Sequence, residues 1–262
     1  MQGVIFHLVA QYALGQVRTR WIPDSRPKIP DLEAQIERNW NEAQNRPGVR
    51  LFDLPMCRLE SFHADHQLLL SLSLTSYKIF VGTHYADPLY AERYGRNSLA
   101  NAIGISSVVQ SADGFLLLGR RNATVAHYAG RVHIFAGTLE PPEADDVFAA
   151  MRRELNEELH LTADQISEIT LLGLVEDTSL HQPELVFDAV SNLKRDEIAA
   201  RLDAAEHSAP VSVEAKPSSL QEAIADASFT PVAAAALLLC GRRRFGADWF
   251  DAAARAVNLP NR

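Results

Sequence analysis

The sequence predicts a mixed α/β (α+β) fold in two regions, divided near residue 98. Three observations carry this. The clearest turn signal, Asp113-Gly114, joins two apolar runs, "AIGISSVVQ" and "FLLLGRR", as a β-hairpin. Strand-like and helix-like periodicities alternate from residue 99 to the end, which calls for helices layered on a sheet. Thr230-Pro231 has the form of an N-cap followed by proline at the first helical position.

In the first region, "VIFHLVA" reads as a strand. "PDLEAQIERNWNEA" places Leu32, Ile36, Trp40 and Ala43 near helical spacing, which predicts an amphipathic helix. "CRLESF" and "QLLLSLSLTSYKIFV" read as strands with a hairpin over "HADH", and "ADPLYAERYGRNS" as a polar connection. In the second region "GRVHIF" is a short strand ending at Ala136-Gly137. "VFAAMRRELNEEL" is a helix, "ITLLGLVED" and "ELVFDAV" are strands, and "LKRDEIAARLDAAE" has a helical pattern. "AAAALLLCG" continues the helix begun at Thr230 to a glycine stop. No internal repeat or low-complexity tract is seen.

Bulk properties narrow the function. The 262 residues are 47% hydrophobic and carry a formal charge of −8. They suffice for a substantial core, and no basic surface for nucleic acid is expected. Cys57 and Cys240 make no disulfide framework, the first residues lack a basic leader, and "VAAAALLLC" is too short for a bilayer span. A cytoplasmic protein without a membrane partner is expected.

The segment Gly137–Leu159 raises the chemical question. Glu154, Glu157 and Glu158 fall within about a quarter turn of one helix, at about 100° per residue, where like charges repel. Phe148, Met151, Leu155 and Leu159 gather on another face. Arg153 can clamp Glu157 four residues on, and Asp145 or Asp146 can cap the start. The trio reads either as a solvated acidic face or as a site for hard divalent cations, which take oxygen ligands and relieve the crowding.

The segment resembles the Nudix box, G-x5-E-x7-R-E-U-x-E-E-x-G-U, with U aliphatic. Gly137 and Glu143 match its first half; Arg153, Glu154, Leu155, Glu157, Glu158 and Leu161 match its second. There are departures: nine residues, not seven, separate Glu143 from Arg153, His160 replaces the late glycine, and Phe135-Ala136 precede Gly137. The resemblance implies a Nudix-type αβα sandwich with a mixed sheet, preceded by a smaller N-terminal α+β region with an expected part in binding nucleotide. It also implies hydrolysis of a nucleoside diphosphate linked to another moiety. Glu154, Glu157 and Glu158 would hold Mg²⁺ or Mn²⁺, the Gly137 carbonyl would add a ligand, and Arg153 would orient the glutamates.

Leu51-Phe52-Asp53-x-Pro55, Arg58-Leu59, Leu74-Thr75-Ser76-Tyr77, Phe80-x-Gly82-Thr83, "ADPL" at Ala86–Leu89 and Arg120-Arg121 are similar to animal Nudix UDP-glucose/UDP-galactose pyrophosphatases. That similarity implies a nucleotide-sugar substrate cleaved to UMP and a hexose 1-phosphate. Tyr77 could stack on the base, Thr75 or Ser76 could bond its carbonyls, and Arg120 or Arg121 could fork a phosphate. Against this, "LTSYKIF" alternates like a strand packed on a core, which is the stronger reading of Tyr77 and Thr75. The base for the attacking water is open: Glu143, Glu176, Asp177 and Glu184 are all within reach of the expected fold. Other Nudix substrates (ADP-ribose, a dinucleotide) and a non-catalytic nucleotide-binding module remain alternatives. His63 and His66 read as a solvated turn; His127, His133 and His181 belong to no motif. Ser106-Ser107 lacks a nucleophile elbow, and no Walker loop occurs.

Overall fold

A computed structural model describes residues 3–46, 50–85, 89–125 and 127–257. The chain opens with β1 (Val4–Tyr12), β2 (Val17–Trp21) and α1 (Pro30–Gln44), then the hairpin β3 (Pro55–Ala64) and β4 (Leu68–Ser76). Two short helical turns follow, α2 (Tyr77–Phe80) and α3 (Tyr90–Tyr94), with a wider turn over Val81–Tyr85 between them. Next come β5 (Gly104–Gln110), β6 (Phe115–Arg121), β7 (Val132–His133), β8 (Phe135–Thr138) and α4 (Val147–Leu159). β9 (Ile166–Asp177), β10 (Gln182–Ser191), α5 (Arg195–Ala199) and β11 (His207–Glu214) precede α6 (Pro217–Ala225), α7 (Pro231–Phe245) and α8 (Ala247–Ala256).

Among the described residues eight strands form the larger sheet, in the order β1-β9-β10-β5-β6-β11, with β7 beside β6 and β8 beside β5. β10 and β5 run parallel and the other pairs antiparallel, so the sheet is mixed. One face packs on α4 through Phe148, Met151, Leu155 and Leu159, against Ile105, Leu117, Phe135 and Phe187. The other packs on α7, whose residues from Val232 to Cys240 meet Val108, Leu118, Leu172 and Val186. This is an αβα sandwich. The alanines and leucines of α7 are buried on every side, as a helix clad by α6, α8 and the sheet requires.

The expected boundary near residue 98 is crossed twice. β1 pairs along β9 at the edge of the large sheet. The smaller sheet, β2-β4-β3, is laced to the large one through backbone bonds: Cys57 N–H to Leu139 O (3.0 Å), Ile103 N–H to Cys57 O (2.9 Å) and Leu59 N–H to Asn101 O (2.9 Å). Leu68, Leu70 and Leu72 of β4 join the core beneath α4.

Several elements differ from their sequence patterns. The run "QLLLSLSLTSYKIFV" ends as a strand at Ser76, where the Ser76 hydroxyl accepts from Ile79 N–H and the Asp53 carboxylate from Lys78 N–H. Tyr77 therefore sits in a helical turn, not in a sheet. The connection after Leu89 contains α3; Ala86, Asp87 and Pro88 of "ADPL" lie outside the described residues. The helix at "LKRDEIAARLDAAE" stops at Ala199, and Asp203 N–H instead bonds the carbonyl of Glu158 at 2.8 Å. α7 runs through Gly241 to Phe245, because Trp249 of α8 packs into the space a side chain at Gly241 would need.

Candidate active site

α4 starts at Asp146, whose carboxylate accepts from the N–H groups of Phe148 and Ala149, each at 3.0 Å. Burial of Met151, Leu155 and Leu159 fixes its rotation and turns Glu154 and Glu158 toward β8. Both are buried, at 7% and 5% exposure, while the Glu157 side chain stays 57% exposed. The trio therefore divides into two inward carboxylates and one at the rim.

Arg153 ties the group together. Its Nε and Nη2 donate to the two oxygens of Glu143 at 2.7 and 3.0 Å, its Nη2 to Glu154 at 2.9 Å and its Nη1 to Glu157 at 2.8 Å. The bond to Glu143, then the surrounding carboxylates, raise the guanidinium pKa. Despite the two extra residues between them, Arg153 still meets Glu143, because the chain turns between Glu143 and the cap, with Asp146 N–H on the Glu143 carbonyl at 3.0 Å.

Burial pushes Glu154 up to about 7, against the pull of Arg153. Its carboxylate lies against the bare Cα of Gly137 on β8. Glu158 is held at both oxygens, by Ala136 N–H at 2.8 Å and by Nε2 of His207 at 2.5 Å. Burial raises its pKa, and the contact with His207 opposes this. His207 comes from β11 and lays its ring over Gly119 of β6, edge-on to Phe135. Glu158, Glu206 and His207 each offer a ligand atom within 4.8 Å of the others.

A cleft of ≈ 280 Å³ opens beside this helix. Ala136, Gly137, Thr138 and Glu206 form its floor on the α4 side; Tyr77, Phe80 and Tyr85, from the N-terminal region, form an aromatic wall. The rings of Tyr85 and His127 are 3.9 Å apart, and Tyr77 stands edge-on to Trp40 at 6.1 Å. Arg121 lines the cleft, with Nε donating to the His127 carbonyl at 3.0 Å. Arg120 is not in the lining; it donates to the Gly130 carbonyl at 2.9 Å. Thr75 is buried outside the lining, and its Oγ1 has no hydrogen-bond partner among the described residues.

Glu184 reaches the cleft from β10, opposite Gly104. It is 8% exposed, and burial pushes it up to about 7 against a hydrogen bond from Ser106. Asp177 also lines the cleft, but its oxygens are engaged. They accept from Tyr128 Oη (2.5 Å) and from Ser179 N–H and Oγ (2.8 and 2.6 Å). Glu176 faces a separate cavity of ≈ 320 Å³ with His7, Arg96 and His181. Its burial would raise its pKa, but hydrogen bonds from His7 and His181 and the charge of Arg96 hold it near 2.

The donor set fits a hard divalent cation: carboxylates that resist ionisation through burial first and their acidic neighbours second, a glycine that leaves room for one of them, and Glu184 in the same cleft as that glycine. Sequence reasoning missed Glu206, His207 and Tyr85. The first two precede or open a strand whose Pro210 argues against one in the sequence, and Tyr85 follows a run that reads as a strand.

A loop–helix–loop packed on a mixed sheet, with Glu154 and Glu158 set against the Ala136-Gly137 strand that lines a cleft, is the arrangement of a Nudix hydrolase. The NUDIX domain matches residues 100–247, and the chain belongs to that family, whose members generally use a divalent metal. It is 28% identical over 206 residues to uridine diphosphate glucose pyrophosphatase NUDT22 of Mus musculus, covering 67% of this chain and 66% of that protein. It is 29% identical over 185 residues to the Homo sapiens protein of the same name, covering 59% and 60%. The chain thus spans somewhat under two thirds of these relatives. A crystal structure from Deinococcus radiodurans aligns at 19% identity over 55% of this chain and 82% of that chain, with a TM-score of 0.41. Among the described residues no helix is long and apolar enough to cross a membrane.

Proposed function

We propose that this Nudix hydrolase cleaves the pyrophosphate bond of a nucleoside diphosphate sugar, UDP-glucose or UDP-galactose, to UMP and a hexose 1-phosphate. Mg²⁺ or Mn²⁺ would be held by Glu154, Glu157, Glu158 and the Gly137 carbonyl. The observation that carries this is the single cleft in which the floor around Gly137 faces an aromatic wall, Arg121 and Glu184. The names of the mouse and human relatives support uridine and glucose.

The bound ion would supply positive charge to the diphosphate and ease ionisation of water. The chain does the rest. Arg153 holds Glu154 and Glu157, and Ala136 N–H with His207 holds Glu158, so the carboxylates are in place before substrate arrives. Arg121, rather than Arg120, pairs with a phosphate. Tyr77 and Tyr85 receive the base. Water attacks one phosphorus, the bond to the bridging oxygen breaks, and the Glu184 carboxylate takes the water proton, an acceptor with an affinity suited to neutral pH. Glu143 is a poorer candidate because Arg153 occupies both its oxygens.

A panel of UDP-glucose, UDP-galactose, ADP-ribose and a dinucleoside polyphosphate with Mg²⁺ or Mn²⁺ tests the reading. UMP and hexose 1-phosphate should form fastest from the UDP-sugars, and Glu157→Gln or Glu158→Gln should cut turnover by orders of magnitude in a folded protein. UDP-sugars left inert beside a rapid rival, or no product at all over hours, would overturn it.

A further inference from the structure

We propose that His133 donates its Nε2–H to a phosphate oxygen of the substrate beside Arg121, as a neutral donor whose tautomer is set by Thr230. This rests on reading the cleft as a diphosphate site. The histidine belongs to no sequence motif.

β7 pairs His133 with Gly119 of β6, and Gly119 carries no side chain to crowd it. Val132 and Ile134 enter the core beneath α7, so His133 turns to the opposite side, into the cleft. There its Nδ1 lies 2.7 Å from Oγ1 of Thr230. Thr230 is fully buried and caps α7, its Oγ1 accepting from Ala233 N–H at 3.2 Å. A hydroxyl has one hydrogen, and among the described residues His133 is the other side-chain partner of this oxygen. If His133 donated here, the buried hydroxyl hydrogen would have no acceptor, so Thr230 donates to Nδ1. The imidazole proton therefore sits on Nε2.

His133 lines the cleft, and among the described residues its ring makes its one hydrogen bond at Nδ1, which leaves Nε2 for a ligand. Burial, followed by the charges of Arg121 and His207, pushes the imidazole pKa well below its ordinary value, so the ring stays neutral. Arg121 forms no ion pair among the described residues and spends Nε on a carbonyl. A guanidinium with no salt bridge among the described residues, beside that N–H, suits an anionic oxygen better than a base carbonyl.

The probe is inorganic pyrophosphate with Mg²⁺, which has the phosphates but neither base nor sugar. In nitrogen-15 histidine spectra, His133 should show a protonated Nε2 and a bare Nδ1, and Nε2 should shift on saturation. By calorimetry, H133F should bind about tenfold more weakly, as loss of a hydrogen bond to a charged group predicts, and H133Q, which keeps an N–H, by less than about threefold. A protonated Nδ1, an Nε2 unmoved by pyrophosphate whether or not it binds, or H133F binding as tightly as the parent would overturn the proposal. UDP-glucose left intact by a protein that still binds pyrophosphate through His133 would instead sink the substrate reading alone.

Discussion

The carboxylate of Glu154 occupies the place of the side chain that Gly137 lacks: a Cβ built there would lie 1.7 Å from Oε1 and 2.0 Å from Cδ. Backbone strain plays no part, since Gly137 is outside the left-handed region. Gly137→Ala should therefore fold but drive Glu154 out of position. Turnover with Mg²⁺ should fall by about a hundredfold or more, as for loss of a transition-state contact worth about 3 kcal/mol. A melting temperature near that of the parent, alongside the activity loss, separates this from unfolding. Unchanged turnover would mean that Glu154 moves without consequence.

Arg120 and Arg121 are adjacent in sequence and point apart. Arg121 faces the cleft and Arg120 the Gly130 carbonyl. Arg121→Ala should raise the KM for substrate by about tenfold or more, the scale of a charge-assisted bond. Arg120→Ala should leave KM within about twofold, as for a surface charge. Steady-state kinetics on the two variants checks this, and equal effects would contradict the assignment.

What the sequence made legible was local. Gly137, Glu143, Arg153 and the glutamates lie on one loop and helix, so their spacing alone predicted that Arg153 would meet Glu157. The α1 stripe of Leu32, Ile36, Trp40 and Ala43 was equally readable, because burial follows helical period. Contributions from distant strands were not. His207 reaches Glu158 only through the pairing of β11 with β6, and β11 is an edge strand whose Pro210 speaks against a strand in the sequence. Spacing also could not show that packing of Met151 and Leu155 would bury Glu154 and Glu158 while leaving Glu157 at the rim.

Glu176 links three parts of the chain: His7 of β1 donates at 2.8 Å, His181 after β9 lies at 3.0 Å, and Arg96 pairs with both its oxygens. Its pKa near 2 lies below the ordinary 4.5. Between those values the unfolded chain binds more protons than the native one. The stabilisation is therefore full above pH 4.5 and is lost as pH falls through about 2. Glu176→Gln should cost about 2 kcal/mol at pH 7 and progressively less toward pH 3. Urea midpoints at pH 7, 5 and 3 test this; a deficit independent of pH would mean that packing, not charge, is lost.

His160 ends α4 in the left-handed region, at φ 49° and ψ 36°, where the box pattern has glycine. Its N–H bonds the Asn156 carbonyl at 2.9 Å and Leu161 N–H bonds the Leu155 carbonyl at 3.3 Å, which closes the helix end. A side chain costs about 1–2 kcal/mol in this conformation. The imidazole offsets little, being largely exposed and 4.0 Å from Asp203. Glycine would remove that cost while adding freedom to the unfolded chain, for a net gain of about 0.5–1 kcal/mol. His160→Gly should thus melt about 2 °C higher than the parent. His160→Ala keeps a Cβ in the same strained backbone and should gain nothing. Calorimetric melting of the pair decides the point: an equal rise in both would trace the effect to loss of imidazole, not to relief of the backbone.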